Sequence, residues 1–447
     1  MATFALMRKS YTYRVKNLER FASNLALEVE RAGDGILLRG SDRFPIPETN
    51  LAGRFQLAAA IGTRSICNPL SNHFDELDEF LRMNKDWVFG YLGYDLKNQI
   101  EHLESKQPDS IGFPDMFFFT PRILVLVNNN TAEFQYYQNE TSQTDIEKLI
   151  DRLDVDYNDV TEYKVPIVFQ SHFTYTDYLK TISAVKQHIA RGDVYEMNLC
   201  QEFFSHHVHL SPSITFNRLY QKSPTPFGAF LRVNDKFLMC ASPERYLRRD
   251  GKWLFSQPIK GTAPRMATEV ADSIKIERLK SDPKERAENV MIVDLVRNDL
   301  SRIAKRGSVR VNELCGIYTF PQVHQMISTV SCELADGLRP TEPFRVTFPM
   351  GSMTGAPKIR AMELIEHFER SKRGLYSGAV GYFMPNSDFD FNVVIRSLLY
   401  NRNNGYLSFT VGGAITFKSQ PEAEYRECLV KAKAILETLN AKINVAE

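Results

Sequence analysis

KFLMCASPERYLRRDGKWLFSQPIKGT, residues 236–262, is the stretch whose reading decides the fold. Apolar runs at 236–241 and 245–247 lead through Asp250-Gly251, a pair that tolerates the positive φ of a tight hairpin, into a third run at 253–257. Neighbouring strands joined so closely pair antiparallel. Working outward, strands are expected at 195–204 and 122–127, and a strand entering a helix over 86–95. Thr176 is expected to cap a helix whose apolar positions Tyr178, Leu179, Ile182, Val185 and Ile189 recur at helical spacing, with Gly192 as its stop. Further helices are expected at 271–280, 284–304, 358–368 and 422–439. Strands grouped with strands and helices with helices argue for an α+β fold rather than a regular βαβ winding. Residues 128–162, rich in Asn, Thr, Asp and Gln around one helical stretch at 145–153, suggest an internal boundary, which divides the chain into an N-terminal lobe, 1–165, and a catalytic region, 166–447.

Composition narrows the partners. With 55 Lys+Arg against 54 Asp+Glu in 447 residues, the net charge of +1 gives no general attraction to nucleic acid or to an acidic membrane surface. Any anion must be bound locally. No apolar run approaches the roughly 18 residues that span a bilayer, the N-terminus does not read as a signal peptide, and the six cysteines form no CxxC pair. A reduced, cytoplasmic chain is expected.

Four constellations carry chemistry. In Gln257-Pro-Ile-Lys-Gly-Thr262 a strand delivers Lys260 between a proline and a glycine, where the backbone leaves the ladder. Ser242-Pro-Glu-Arg245 lies on the partner strand. With Arg249 opposite Lys252, Glu244 faces Gln257 and Ala241 faces Lys260, about 10 Å along the ribbon at ~3.3 Å per residue. Strict alternation puts Glu244 and Lys260 on opposite faces unless a bulge or strand end near Pro258 intervenes. The plainer reading of Glu244 is a surface partner of Arg245.

The third constellation is a pair of helices in which Glu285 and Glu288, and again Glu424 and Glu427, stand one turn apart. Two such helices suit Mg²⁺, which takes one or two carboxylates, keeps waters and accepts an anionic oxygen. Lys431, at i+4 from Glu427, either binds the same anion or neutralises Glu427. The fourth is Gly351-Ser-Met-Thr-Gly-Ala-Pro-Lys358, where Ser352 or Thr354 is expected to cap a helix and the N–H groups of Gly355 and Ala356 to grip a carboxylate. A second glycine turn, Val411-Gly-Gly-Ala-Ile415, offers Gly412 and Gly413.

Taken in order, these segments resemble the chorismate-binding enzymes, the family of the anthranilate synthase large subunit and of the isochorismate, salicylate and aminodeoxychorismate synthases. The likeness is strong from about Thr174 to Lys433. It runs through Gly192-Asp-Val-Tyr-Glu-Met-Asn-Leu-Cys-Gln201, the Lys260, Glu244 and Glu288 motifs, Gly351 to Lys358, Asp390-Phe-Asn-Val-Val-Ile-Arg396 and the Glu424/Glu427 helix. Over 1–165 it rests mainly on Gly90-Tyr-Leu-Gly-Tyr-Asp95. It implies a two-lobed single large domain in which antiparallel β-sheets are sandwiched and flanked by helices, as in anthranilate synthase component I. Within the family, anthranilate-forming members carry alanine in the Pro-Ile-x-Gly-Thr motif and aminodeoxychorismate-forming members carry lysine, as here at Lys260. Gln201 stands where isochorismate- and salicylate-forming members place a water-activating lysine. Gln325, beside His324, stands where anthranilate-forming members have a histidine linked to pyruvate elimination. Glu196 replaces a common glutamine.

The resemblance implies an enzyme that converts chorismate and ammonia into 4-amino-4-deoxychorismate, on the way to para-aminobenzoate and folate. Lys260 would attack C2 and Glu244 would protonate the departing C4 hydroxyl. Mg²⁺ would sit on Glu288 and Glu427 with Glu285 and Glu424 nearby. Gly355, Ala356, Lys358, Arg396, Gly412, Gly413, Lys431 and Gln201 would hold the substrate. No glutaminase module is visible, so ammonia is expected from a separate glutamine amidotransferase subunit. A nucleophilic lysine also demands a depressed pKa, because at ~10.4 only about one molecule in a few thousand is neutral at pH 7. The alternatives are anthranilate synthase component I and a silent paralogue that regulates an amidotransferase.

Overall fold

The computed structural model describes residues 8–40, 54–156, 166–321 and 323–444. Its strands begin with β1 Lys9–Arg14, β2 Gly35–Arg39, β3 Leu57–Cys67, β4 Val88–Leu92, β5 Met116–Asn128, β6 Thr131–Tyr136, β7 Val168–Ser171 and β8 Glu196–Ser205. The central hairpins follow as β9 Phe227–Val233, β10 Lys236–Ser242, β11 Arg245–Asp250, β12 Trp253–Gln257 and β13 Ile259–Pro264. The last third adds β14 Arg310–Thr319, β15 Val323–Glu333, β16 Gly355–Ala356, β17 Ala379–Phe383, β18 Phe389–Val393, β19 Ser397–Asn401, β20 Tyr406–Ile415 and β21 Lys442–Ile443.

β5 organises the rest. Its first residues pair with β4, its later ones with β6, and nearly its whole length with β3. From β3 one antiparallel sheet runs β3-β2-β9-β10-β19-β20-β8-β7. From β4 a second runs β4-β17-β18-β11-β12-β15, with β13 and β14 both on β15. Strand alternation then sorts the side chains. Leu238 and Cys240 of β10 enter a core between the sheets with Phe89, Phe118 and Phe391. Phe237, Met239 and Ala241 face a second core, capped by helices Leu18–Arg31, Tyr175–Ala190, Pro212–Lys222 and Pro421–Leu439. Antiparallel sheets face one another with helices outside, as the α+β reading expected.

Two of the places where the chain passes directly from one sheet to the other lie side by side, from β10 to β11 at Pro243-Glu244 and from β18 to β19 at Val394–Arg396. The two crossings are tied together. Val393 N–H donates to Glu244 O at 3.0 Å, and Ala241 N–H donates to Arg396 O at 3.1 Å. Arg396 adopts φ 53 to make its turn. Below the first crossing the Arg245 side chain, 0% exposed, donates from Nε to Asp390 Oδ1 at 2.9 Å and from Nη1 to Gln257 Oε1 at 2.6 Å.

Several expected details change. The hairpin closes on Asp250 opposite Trp253, not Arg249 opposite Lys252, and a register shift between Arg245 and Arg248 brings Arg245 opposite Gln257. Ala241 faces Gly228 rather than Lys260, because β10 belongs to the other sheet. Thr174, not Thr176, caps helix Tyr175–Ala190, its Oγ1 accepting from Asp177 N–H. The polar stretch after Asn128 contains β6 and helix Gln143–Asp154, opened by a Ser142/Asp145 capping box. The expected boundary at 165 falls in 157–165, outside the described residues. Strands from the first 165 residues pair with later ones, β2 with β9 and β4 with β17. No described helix is long and apolar enough to cross a membrane.

Arg245→Met should cost about 3–5 kcal/mol, because it strands the Asp390 carboxylate in a buried site. Denaturant unfolding reads the loss, and Arg245→Met/Asp390→Leu should recover much of it.

Candidate functional site

Lys260 and Glu196 meet between the two sheets. The strand β13 breaks register with β15 between Ile259 and Thr262, the irregularity that convergence required, and Lys260 reaches inward from it. Asn289, buried on helix Pro283–Ser301, fixes the local backbone by donating from Nδ2 to Lys260 O and Met326 O, each at 3.3 Å. Lys260 Nζ lies 3.0 Å from Oε1 of Glu196, the first residue of β8, whose side chain is 0% exposed.

Burial works to lower the Lys260 pKa, but the carboxylates of Glu196, then Glu288 and Glu244, outweigh it and hold the ammonium above its ordinary value. The expected depression is therefore reversed, because Lys260 sits among acids rather than beside a cation.

Glu244 occupies the first crossing and is buried, so it is not the surface partner of Arg245. Burial pushes its carboxyl up to about 7, against the opposing pull of Ser352, Lys260 and the Ile259 backbone. A carboxyl poised there can donate a proton near neutrality. Arg396, on the neighbouring crossing, has its pKa lowered by burial, and among the described residues its side chain makes no hydrogen bond or ion pair. It is free to receive a carboxylate.

The four helix glutamates converge as their spacing suggested. Helix Pro283–Ser301 packs on the β13–β15 end of one sheet and helix Pro421–Leu439 on β20 of the other. Between them stands Lys284, which sequence reading passed over, with Nζ 3.7 Å from Glu288 Oε1 and 3.6 Å from Glu424 Oε1. Its place at i−4 from Glu288 was the available signal. Burial raises Glu285 and brings Glu288 up to about 7. Glu427, half exposed, is lowered by Lys431 at 2.7 Å in spite of its burial cost. Among the described residues no group of three or more His, Cys, Asp or Glu is drawn in tightly enough to hold a metal ion. The donor set nevertheless fits Mg²⁺, since Glu288 Oε1 is buried without a hydrogen-bond partner and a cation already sits between the two helices.

The glycine segments behave differently from expectation. Gly412 and Gly413 are strand residues of β20, not a turn; Lys431 Nζ donates to Gly412 O at 2.7 Å, and a Cβ at Gly413 would lie 3.3 Å from Glu424 Oε2. Gly355 and Ala356 form β16 and pair with Met197 and Glu196, so the loop is stitched to the strand that carries Glu196. A Cβ at Gly355 would sit 2.2 Å from Glu196 O, which excludes any larger residue. Neither Ser352 nor Thr354 caps helix Lys358–Phe368; its N-cap is Pro357, and Thr354 Oγ1 donates to Met350 O instead. Lys358 is committed elsewhere, its Nζ 2.5 Å from Asp299 Oδ2 and 2.9 Å from Thr347 O.

Gln201 also leaves the cluster. Alternation along β8 puts it on the face opposite Glu196, where its Oε1 accepts from Ser171 Oγ at 3.1 Å. His324 and Gln325 take opposite faces of β15. His324 is buried against Asp272 and Thr319, while Gln325 faces the other way with Oε1 unpartnered.

Two carboxylate-bearing helices thus stand over a buried lysine and a neutral-range glutamic acid. A family model described as chorismate binding enzyme matches residues 41–437, and the chain belongs to that family. It is 35% identical over 362 residues to aminodeoxychorismate synthase component 1 of Salmonella typhimurium, covering 79% of this chain and 76% of the relative. It is 32% identical to anthranilate synthase component 1 of Cereibacter sphaeroides, covering 78% and 72%. The crystal structure of anthranilate synthase component I from Streptococcus pneumoniae superposes with a TM-score of 0.68 at 23% identity, over 97% of this chain and 93% of that one, and shares the fold.

Glu244 gives a stability signature. Its carboxyl keeps a proton to about pH 7 in the folded protein but only to about 4.3 when unfolded, so ionisation favours the unfolded chain between those values. Relative to Glu244→Gln, the wild type should lose stability as pH rises from about 4.3 to 7, with no further relative change above. Denaturation series across that range check it.

Proposed function

We propose that this chain is the synthase subunit that converts chorismate and ammonia into 4-amino-4-deoxychorismate, with Mg²⁺, and that a separate glutamine amidotransferase supplies the ammonia. The observation that carries the reading is Lys260 of the Pro-Ile-Lys-Gly-Thr motif, directed into the same buried cluster as the neutral-range Glu244. Similarity to the Salmonella component 1 supports it, and the word component in that name supports a partner.

In the chemistry proposed, Lys260 Nζ adds to C2 of the ring, the double bonds shift, and the C4–O bond breaks as Glu244 hands its proton to the departing hydroxyl. Ammonia then adds at C4 and the lysine leaves. The unpartnered Arg396 guanidinium receives a substrate carboxylate. Glu288 and Glu427, with Glu285 and Glu424 beside them, are the residues that would hold Mg²⁺, which when bound neutralises carboxylate charge and polarises the conjugated ring. Lys431 steadies Glu427 at the rim. Lys358 and Gln201 drop out of the substrate set, since their side chains are engaged elsewhere.

Purified protein given chorismate, Mg²⁺ and ammonium at high pH should form aminodeoxychorismate, read by mass, and a chelator should abolish it. Lys260→Ala should lower the rate by at least ~100-fold while leaving chorismate binding largely intact. Lys260→Arg should fail as well, since guanidinium stays protonated. Anthranilate with pyruvate would install the anthranilate synthase alternative, no turnover the silent paralogue, and efficient use of glutamine by this chain alone would sink the two-subunit reading.

A further inference from the structure

A carboxylate buried as deeply as that of Glu196 calls for an explanation. Its side chain is 0% exposed, and among the described residues its one polar side-chain partner is Lys260, an ion pair at 3.0 Å. Its backbone is held rigidly, paired with Ala356 in β16 and continuing into the long β8–β20 ladder. A buried ion pair is seldom the most stable way to fill such a space, so stability alone does not account for it.

We propose that Glu196 is the proton acceptor of Lys260: it holds the amine as an ammonium while the site is empty and takes one of its protons as the amine adds to the ring. This rests on the reading of Lys260 as the nucleophile. Other groups facing the ammonium are Glu244 from the crossing, Glu285 and Glu288 from helix Pro283–Ser301 and Glu427 from helix Pro421–Leu439, with Lys284 the nearby cation. Glu244 must arrive protonated to serve the leaving hydroxyl, and the helix glutamates face the proposed metal. Among the described residues Glu196 alone is in ion-pair contact with Lys260, and the proposed chemistry gives it no other duty.

The step balances within the pair. One N–H bond of the ammonium breaks as an O–H bond forms on Glu196 Oε1, and the freed lone pair makes the bond to C2. The electrons of the C4–O bond leave with the hydroxyl, which Glu244 protonates to water. Because the proton never passes to solvent, adduct formation should persist at pH values where an isolated lysine is charged. The electrostatics agree, since Glu196 is the foremost group holding the Lys260 proton in place against burial.

Glu196→Gln keeps the shape and removes the acceptor. The test follows, against pH, ammonia-dependent product formation and the Lys260 adduct trapped without ammonia and mapped by peptide mass spectrometry. A third arm measures competitive acetylation of Lys260 by acetic anhydride without chorismate or Mg²⁺. If Glu196 accepts the proton, the acid limb of both rates moves to higher pH in Glu196→Gln, the rate near pH 6.5 falls roughly 100-fold and recovers in alkali, and Lys260 acetylates at lower pH than in wild type. Glu196→Asp should keep the acid limb near its wild-type position, and decides the matter should Glu196→Gln not fold: a limb displaced upward in the aspartate variant overturns the proposal. An acid limb that moves down with the acetylation profile, or does not move, makes Glu196 a static counter-ion and overturns it. Wild type that makes product without any Lys260 adduct overturns the nucleophile reading instead, and is recognised because the acetylation shift remains.

Discussion

Two hydrogen bonds between the crossings, from Val393 N–H to Glu244 O and from Ala241 N–H to Arg396 O, set the separation of the two sheets where the chain passes from one to the other. The candidate site depends on that constraint. One sheet supplies Glu196 and, through β20, the helix carrying Glu424 and Glu427; the other supplies Lys260 and the helix carrying Glu285 and Glu288. Glu244 and Arg396 ride on the crossings themselves. No single sheet, hairpin or helix pair contains a working set of groups, and the Arg245–Asp390 pair beneath the crossing keeps the junction from splaying.

The electrostatic character of the site follows from this assembly. Glu196, Glu244, Glu285, Glu288, Glu424 and Glu427 converge against Lys260, Lys284, Lys431 and Arg396, six acids to four bases. With every group ionised the cluster would be anionic, a poor receptor for an anion. Two of the acids respond by holding protons to about pH 7, Glu244 and Glu288, chiefly because burial disfavours their charged forms. One of those protons sits on Glu244, the group proposed to protonate the leaving hydroxyl. The other sits on Glu288, one of the residues proposed to hold Mg²⁺.

Much of this was legible in the residues. The hairpin of β11 and β12 around Asp250-Gly251, the helix at 358–368 and the paired glutamates each carry a local signal of turn chemistry or periodicity, and each is found. Lys260 and Glu244 were legible as motifs, but their convergence was not. It depends on β10 and β11 lying in different sheets, and a chain reads as one hairpin until the crossing at Pro243 is seen. Gln201 was misplaced because its motif spacing says nothing about which face of β8 it takes. Glu196 stood in the sequence only as an unusual residue at a strand start. Its partner lies 64 positions away, and nothing local indicates a carboxylate without solvent. Lys358 was readable as an anion-binding lysine after a glycine loop until Asp299, on a distant helix, was found against it.

β5 has a consequence for how such a molecule comes into being. It belongs to both sheets, and because β4 pairs with β17 while β2 reaches β19 only through β9 and β10, neither sheet is complete until residues from the first third of the chain have met those from the last. Contacts so distant in sequence carry a large loop-closure cost and form late. The buried cluster is thus a product of the final assembly, and a chain emerging from synthesis does not bring Lys260 beside Glu196 and Glu244 before the whole architecture has closed around them.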